Sequence, residues 1–106
     1  MVKEVLKKPF INVEWKKGPV IEATAGDDVV KLPVKVVAYP QPEFQWFKDG
    51  RLISSRQAQY SMLIKDVAEH NAGTYTLVLR NGLAGLEKHI SLQLVVNGKT
   101  GVTYEV

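Results

Sequence analysis

The feature of this sequence that most restricts its fold is an alternation of apolar and polar residues, period two, that returns in segment after segment. In VVKLPVKVVA, residues 29–38, Val30, Leu32, Val34 and Val36 fall on one side, with Lys31 and Lys35 on the other. A strand with one buried face has this pattern. FQWFK sets Phe44, Trp46 and Lys48 against Gln45 and Phe47; YSMLIKDV turns Met62 and Ile64 inward, with Val67 as a plug beyond the strand. Residues 74–80 place Tyr75, Leu77 and Leu79 on one face, and residues 88–96 do the same with Ile90, Leu92, Leu94 and Val96. FINVEW and VIEATAG add two strands at the start.

The punctuation agrees with short antiparallel strands. YPQPE, residues 39–43, is a stiff bend, Asp49-Gly50 is a strong hairpin turn, and Asn81 to Gly85 form a glycine-rich loop. Only AEHNAG, residues 68–73, reads as a helical turn. Pro33 has no backbone N–H, so it is expected at an edge-like position or a local irregularity and not in a central strand. Several such strands in 106 residues make one all-β domain of two antiparallel sheets. It occupies residues 9–97, with 1–8 and 98–106 as flanking segments, either disordered or added for expression. VTYEV, residues 102–106, is expected to be a disordered end or a strand paired to an exposed sheet edge.

Composition excludes much chemistry. The chain has no cysteine, which removes disulfides, thiol catalysis and cysteine-based zinc sites. The net charge of +3 comes from lysines and arginines spread along the chain, not gathered as in a nucleic-acid-binding patch. No apolar run is long enough to span a bilayer, and no signal peptide is visible, so a secreted parent would make this chain a piece of it. His70 and His89 have no nearby ligand set, and no metal or cofactor is expected. There is no G-x-S-x-G elbow and no phosphate loop; Asp27-Asp28 is a charged turn. An enzyme is not expected.

Taken together, Val34, Pro40, Pro42, Trp46, Met62, Ile64, Val67, Asn71, Gly73, Tyr75 and Leu77 resemble an immunoglobulin-like domain of the intermediate set. The resemblance implies a sandwich with Trp46 as core anchor and a tyrosine corner, in which the Tyr75 hydroxyl bonds backbone near the start of the turn before its strand. Val34 and Leu77 stand where that family carries its inter-sheet disulfide, and Asn71 stands where Asp is usual. An apolar Val34–Leu77 pair facing across the sheets, packed on Trp46, is expected to replace the bridge. Trp15 is expected either to pack on the end of the sandwich or to face a neighbouring domain.

FINVEW, GPVIEATAGDDVVKLPVKV, AYPQPEFQWFKDG, GTYTL and ISLQLVVN are similar to the fourth extracellular immunoglobulin-like domain of vascular endothelial growth factor receptors, nearest the third receptor. That domain also lacks the disulfide. The resemblance implies an extracellular, non-catalytic module of a single-pass receptor tyrosine kinase that spaces and orients its neighbours. Its partners would be the adjacent immunoglobulin-like domains, with a weak homotypic contact at most. Where related receptor kinases pair through an Arg and an acid ahead of the corner Tyr, this chain has Asp66 and Asn71, so that pattern is absent. Lys65, Asp66, Glu69 and His70 form the one weak interaction turn, each exposed pair contributing about 0–1 kcal/mol. His89 stands where the nearest family domain begins a glycosylation sequon, and no Asn here begins one. Two other classes stay open on the residues alone: a cytoplasmic scaffold module of the muscle type, and an engineered domain without a native partner.

Overall fold

The computed structural model describes residues 8–53 and 60–98. Among the described residues, nine strands run in the order β1 (Phe10–Trp15), β2 (Val20–Thr24), β3 (Val29–Leu32), β4 (Val34–Tyr39), β5 (Glu43–Lys48), β6 (Arg51–Ile53), β7 (Met62–Lys65), β8 (Gly73–Asn81) and β9 (Leu86–Asn97). A 3₁₀ turn, Glu69–Asn71, precedes β8. The larger sheet has the order β2-β9-β8-β5-β6. In it β2 lies parallel to β9, and the β9–β8–β5–β6 pairs are antiparallel. The facing layer is built from two antiparallel pairs, β1 with β4 and β3 with β7.

Residues 29–38 were expected as one strand, and the structure divides them. β3 ends at Leu32 and β4 starts at Val34. Pro33 cannot donate to a ladder, so pairing changes partner across it, from β7 on one side to β1 on the other. The irregularity predicted for Pro33 is there, but the residue is buried between flanking strands and not at an edge. Ser61 mends the gap. Its Oγ accepts the Val34 N–H at 3.0 Å, while the Pro33 carbonyl accepts from Lys16 N–H on the other side. The bend at residues 39–43 contains a cis Tyr39–Pro40 peptide.

The core lies between the layers. Leu32, Val34 and Ile64 come from one layer, and Trp46, Tyr75, Leu77, Leu79, Leu92 and Leu94 from the other. Leu32, Leu77 and Leu79 are fully inaccessible, so each carries close to the full hydrophobic contribution of about 1.5–3 kcal/mol. Val78 is also buried although it points to the opposite face of β8 from Leu77 and Leu79. Its register neighbours there are Gln45 and His89.

The register also sets the polarity of the domain. Phe10 pairs with Tyr39 near the end where Glu43, Arg80 and Glu87 meet. Thr24 pairs with Asn97, and Gly73 with Leu94, at the other end. The described chain therefore enters at one end of the sandwich and leaves at the opposite one.

Candidate interaction surface

The turn between β7 and β8 is the surface that the sequence analysis singled out, and local bonding explains its shape. Asp66 adopts a positive φ of 54°, and its N–H donates to the Asp28 carbonyl at 2.9 Å. Val67 follows, buried, with its N–H on the Asp27 carbonyl and its own carbonyl taking the Gly26 N–H. Asn71 then closes the 3₁₀ turn, its Oδ1 accepting the Ala68 N–H at 2.7 Å. An Asp at this place would offer the same acceptor with a charge, so the neutral side chain keeps the cap.

Tyr75 locks the turn from below. Its hydroxyl donates to the Asn71 carbonyl at 2.5 Å. The acceptor was expected near the start of the turn; it lies at the end, at Asn71, the last residue of the 3₁₀ turn. Burial, then the nearby Asp49 carboxylate, pushes the Tyr75 hydroxyl up to about 12. Lys48 reaches across from β5, and its Nζ donates to the His70 carbonyl at 2.8 Å.

Asp49 is the residue shaping this end that sequence reasoning missed. Asp49 and Gly50 both have positive φ, 50° and 81°, which fits the tight hairpin into β6. The Asp49 N–H also donates to the Thr74 carbonyl, and its Oδ1 accepts the Thr74 N–H at 2.9 Å. Its carboxylate thus clips the hairpin to the start of β8. Gly73 is required there, since a Cβ would lie 2.7 Å from Asp49 Oδ2. The Asp-Gly pair announced the turn, but nothing near it in sequence announced the distant backbone it holds.

Lys65, Asp66, Glu69 and His70 are all exposed, and the structure brings them together on this one turn. With Asp27, Asp28 and Asp49 close by, carboxylates outnumber ammonium groups at this end of the domain. The only apolar residue between Lys65 and Ala68 is the buried Val67, so the turn has no apolar centre. His89 lies at the far side, on β9, hydrogen-bonded to Glu87. The His89 and Arg80 hydrogen bonds hold the Glu87 carboxyl below the usual carboxylate range. Among the described residues no group of His, Asp or Glu side chains is placed to hold a metal ion.

Of the proposed core positions, Val34, Trp46, Tyr75 and Leu77 are all buried. Trp46 Nε1 donates to the Tyr60 carbonyl at 3.0 Å, which fixes the indole in the core. Trp15 packs within the domain. Its ring lies 5.9 Å from that of Trp46, and its Nε1 donates to the Ser91 carbonyl of β9 at 2.8 Å, tying the two layers together.

A buried Trp46 on β5, a tyrosine corner on β8 and first and second strands placed in opposite layers define a particular sandwich, and comparison with known families agrees. The immunoglobulin I-set domain family matches residues 16–94. The chain belongs to the immunoglobulin I-set family. Members of that family are non-catalytic modules, and this chain is not an enzyme. It is 78% identical over 93 residues to vascular endothelial growth factor receptor 3 of Coturnix coturnix, a match covering 88% of this chain and 7% of the receptor. The Mus musculus receptor 3 is 59% identical over the same length and coverage. Receptor 1 of Gallus gallus is 41% identical over 100 residues, 90% of this chain and 8% of the receptor. The chain thus spans under a tenth of the length of these relatives. Among solved structures, a chimeric titin Z1Z2 has a TM-score of 0.67 at 24% identity, covering 82% of this I-set domain and 96% of the titin chain. Sidekick-1 immunoglobulin domains 1–4 give 0.69 at 21% identity, covering 90% and 27%. These two likenesses show the fold alone.

Proposed function

We propose that this I-set domain is an extracellular module of a vascular endothelial growth factor receptor, corresponding to the fourth immunoglobulin-like domain. In this reading it spaces and orients the domains on either side, and does not itself form the main growth factor site. The observation that carries the reading is the 78% identity to a receptor over 88% of this chain. Two titin structures share the sandwich at 24% and 18% identity, far below the identity to the receptors, which favours the receptor over a cytoplasmic scaffold. The geometry supports a spacer. The described residues run from one end of the sandwich to the other, and Trp15 near the entry packs its ring on Trp46 in the core.

A domain exchange in a full-length receptor tests the proposal. This segment would be replaced by a titin I-set domain of equal length, and growth-factor-dependent autophosphorylation measured in cells. A spacer predicts that the exchange preserves the response while deletion of the segment lowers it. If the exchange is as damaging as deletion, the surface of this domain has a specific partner and the spacer reading fails.

A further inference from the structure

The sequence contains two Asn-Gly pairs, Asn81-Gly82 and Asn97-Gly98, and the fold treats them in opposite ways. We propose that Asn97-Gly98 is a site of spontaneous deamidation on the folded domain, and that Asn81-Gly82 is protected by folding. The inference rests on the chemistry of these residues and is independent of the receptor reading.

The reaction needs the amide nitrogen of the following residue to reach the Asn Cγ. Glycine has no side chain to obstruct that approach. The glycine nitrogen loses its proton and bonds to Cγ. The Cγ–Nδ2 bond breaks, and Nδ2 leaves as ammonia with that proton. Water then opens the five-membered imide. Addition at Cγ gives aspartate, and addition at the backbone carbonyl carbon gives isoaspartate, with the chain running through the side chain.

Asn97 pairs with Thr24 and bonds Glu22 through Nδ2, but it is exposed at the last position of β9, and Gly98 beyond it is exposed and outside regular structure; burial is what separates it from Asn81. Asn81 is 6% exposed, is paired with Leu86 in the β8–β9 ladder, and its Oδ1 takes the Ala84 N–H at 3.3 Å. Turning its Cγ toward Gly82 nitrogen would break that bond and disturb the hairpin.

The product would act on the fold, because Asn97 closes a corner. Its carbonyl accepts the Ala25 N–H at 2.9 Å, and its Nδ2 donates to Glu22 Oε1 at 3.2 Å. Glu69 of the 3₁₀ turn is also near, with Oε2 3.7 Å from where a Gly98 Cβ would stand. Deamidation exchanges the donor to Glu22 for a second carboxylate facing it. The last rung of β2 on β9 and the neighbouring turn both lose support.

Incubation of the purified chain in mildly alkaline buffer at physiological temperature, followed by peptide mapping by mass spectrometry, tests this. Conversion is expected at Asn97 and not at Asn81 in the folded chain, with both converting in denaturant. Conversion of folded Asn81 as fast as Asn97, or protection of Asn81 that persists in denaturant, would overturn the inference. Gly98 does not have a left-handed φ and has room for a methyl group, so Gly98→Ala should fold normally. It should slow conversion several-fold with no change in melting temperature; an unchanged rate would exclude attack by the Gly98 nitrogen. Asn97→Asp should melt lower than the parent near neutral pH, because the donor to Glu22 becomes a second carboxylate, and added salt should narrow the gap. Equal melting at low salt would show that the corner does not depend on this amide.

Discussion

The Tyr75 hydroxyl donates to the Asn71 carbonyl four residues upstream, so β8 is bonded to the turn that leads into it. The ring is buried, and Asn71 in turn caps Ala68. One phenol therefore links the core to the only described turn that gathers the candidate interaction residues. Tyr75→Phe keeps the ring and leaves the Asn71 carbonyl without this donor. A loss of about 0.5–1.5 kcal/mol is expected in denaturant unfolding, with the larger end applying if water cannot reach the carbonyl. An unchanged midpoint would mean that the turn is held by its cap alone.

The same hydroxyl makes stability depend on alkali. Its folded-state value is raised to about 12, above the ordinary value of 10.0, chiefly by burial. The neutral form is favoured in the folded state. This contribution is fully present below about pH 10 and is lost as pH rises from there through the folded value. The parent should lose up to about 1.4 kcal/mol per pH unit from this group. Tyr75→Phe should lack that component, so the two unfolding curves should converge between those pH values. Parallel curves would refute the linkage.

Leu77 is inaccessible on the central strand β8, and Val34 is buried in the other layer. We propose that they face each other where related domains place a disulfide. Leu77→Ala should then cost about 2–5 kcal/mol through lost burial and a residual cavity. A loss below about 1 kcal/mol would show that the site collapses freely. Val34→Ala combined with Leu77→Ala should deviate from additivity by at least about 0.5 kcal/mol if the two touch. Additive losses would separate them.

The sandwich and most of its strands were legible because alternation records burial directly, residue by residue; the three-residue β6, too short to show a period, was not. The roles of Trp46 as anchor and Tyr75 as corner came from the resemblance to the immunoglobulin intermediate set. The division of the strand at Pro33 was half legible. The missing donor announced a fault, but the repair comes from Ser61, in the bend just before β7 and 27 residues from Val34. Trp15 could be placed on an end or toward a neighbour from sequence; its contact with Trp46 and its bond to Ser91 join it to residues that are 31 and 76 positions away, which no local pattern announces. The Asp49 clip was not legible, because its acceptor reaches a backbone N–H 25 residues away. The tail residues 99–106, with the expected VTYEV pairing, lie outside the described residues.

The clip makes a prediction of its own. Gly73→Ala places a methyl group against a carboxylate that is hydrogen-bonded in position, at a φ of 153° that side chains rarely adopt. A loss of about 1–3 kcal/mol is expected. Asp49→Ala alone frees the Thr74 N–H and should cost about 1 kcal/mol. In the double variant the clash is gone, so the combined loss should be smaller than the sum. Strict additivity in thermal unfolding would show that Gly73 is required for its backbone alone.

Self-association is the property on which the spacer proposal and the interaction turn meet. A two-fold contact through residues 65–70 would bring Asp66 and Glu69 toward their own copies, with Asp28 and Asp49 nearby. Lys65 and Lys48 supply fewer positive charges, and the Lys48 ammonium is already bonded to the His70 carbonyl. Stable self-complementary interfaces also need a buried apolar centre, typically within about 1,200–2,000 Å² of total area. Here the central Val67 is turned into the domain. The isolated chain should therefore sediment as a monomer at micromolar concentration. Raising the salt should screen the repulsion without producing a tight dimer. Pairing inside a dimeric receptor would then depend on tethering, which raises the local concentration of one copy around the other. A dimer of sub-micromolar affinity that weakens on Lys65→Glu or Glu69→Lys would make this turn a true contact site and would reject the spacer.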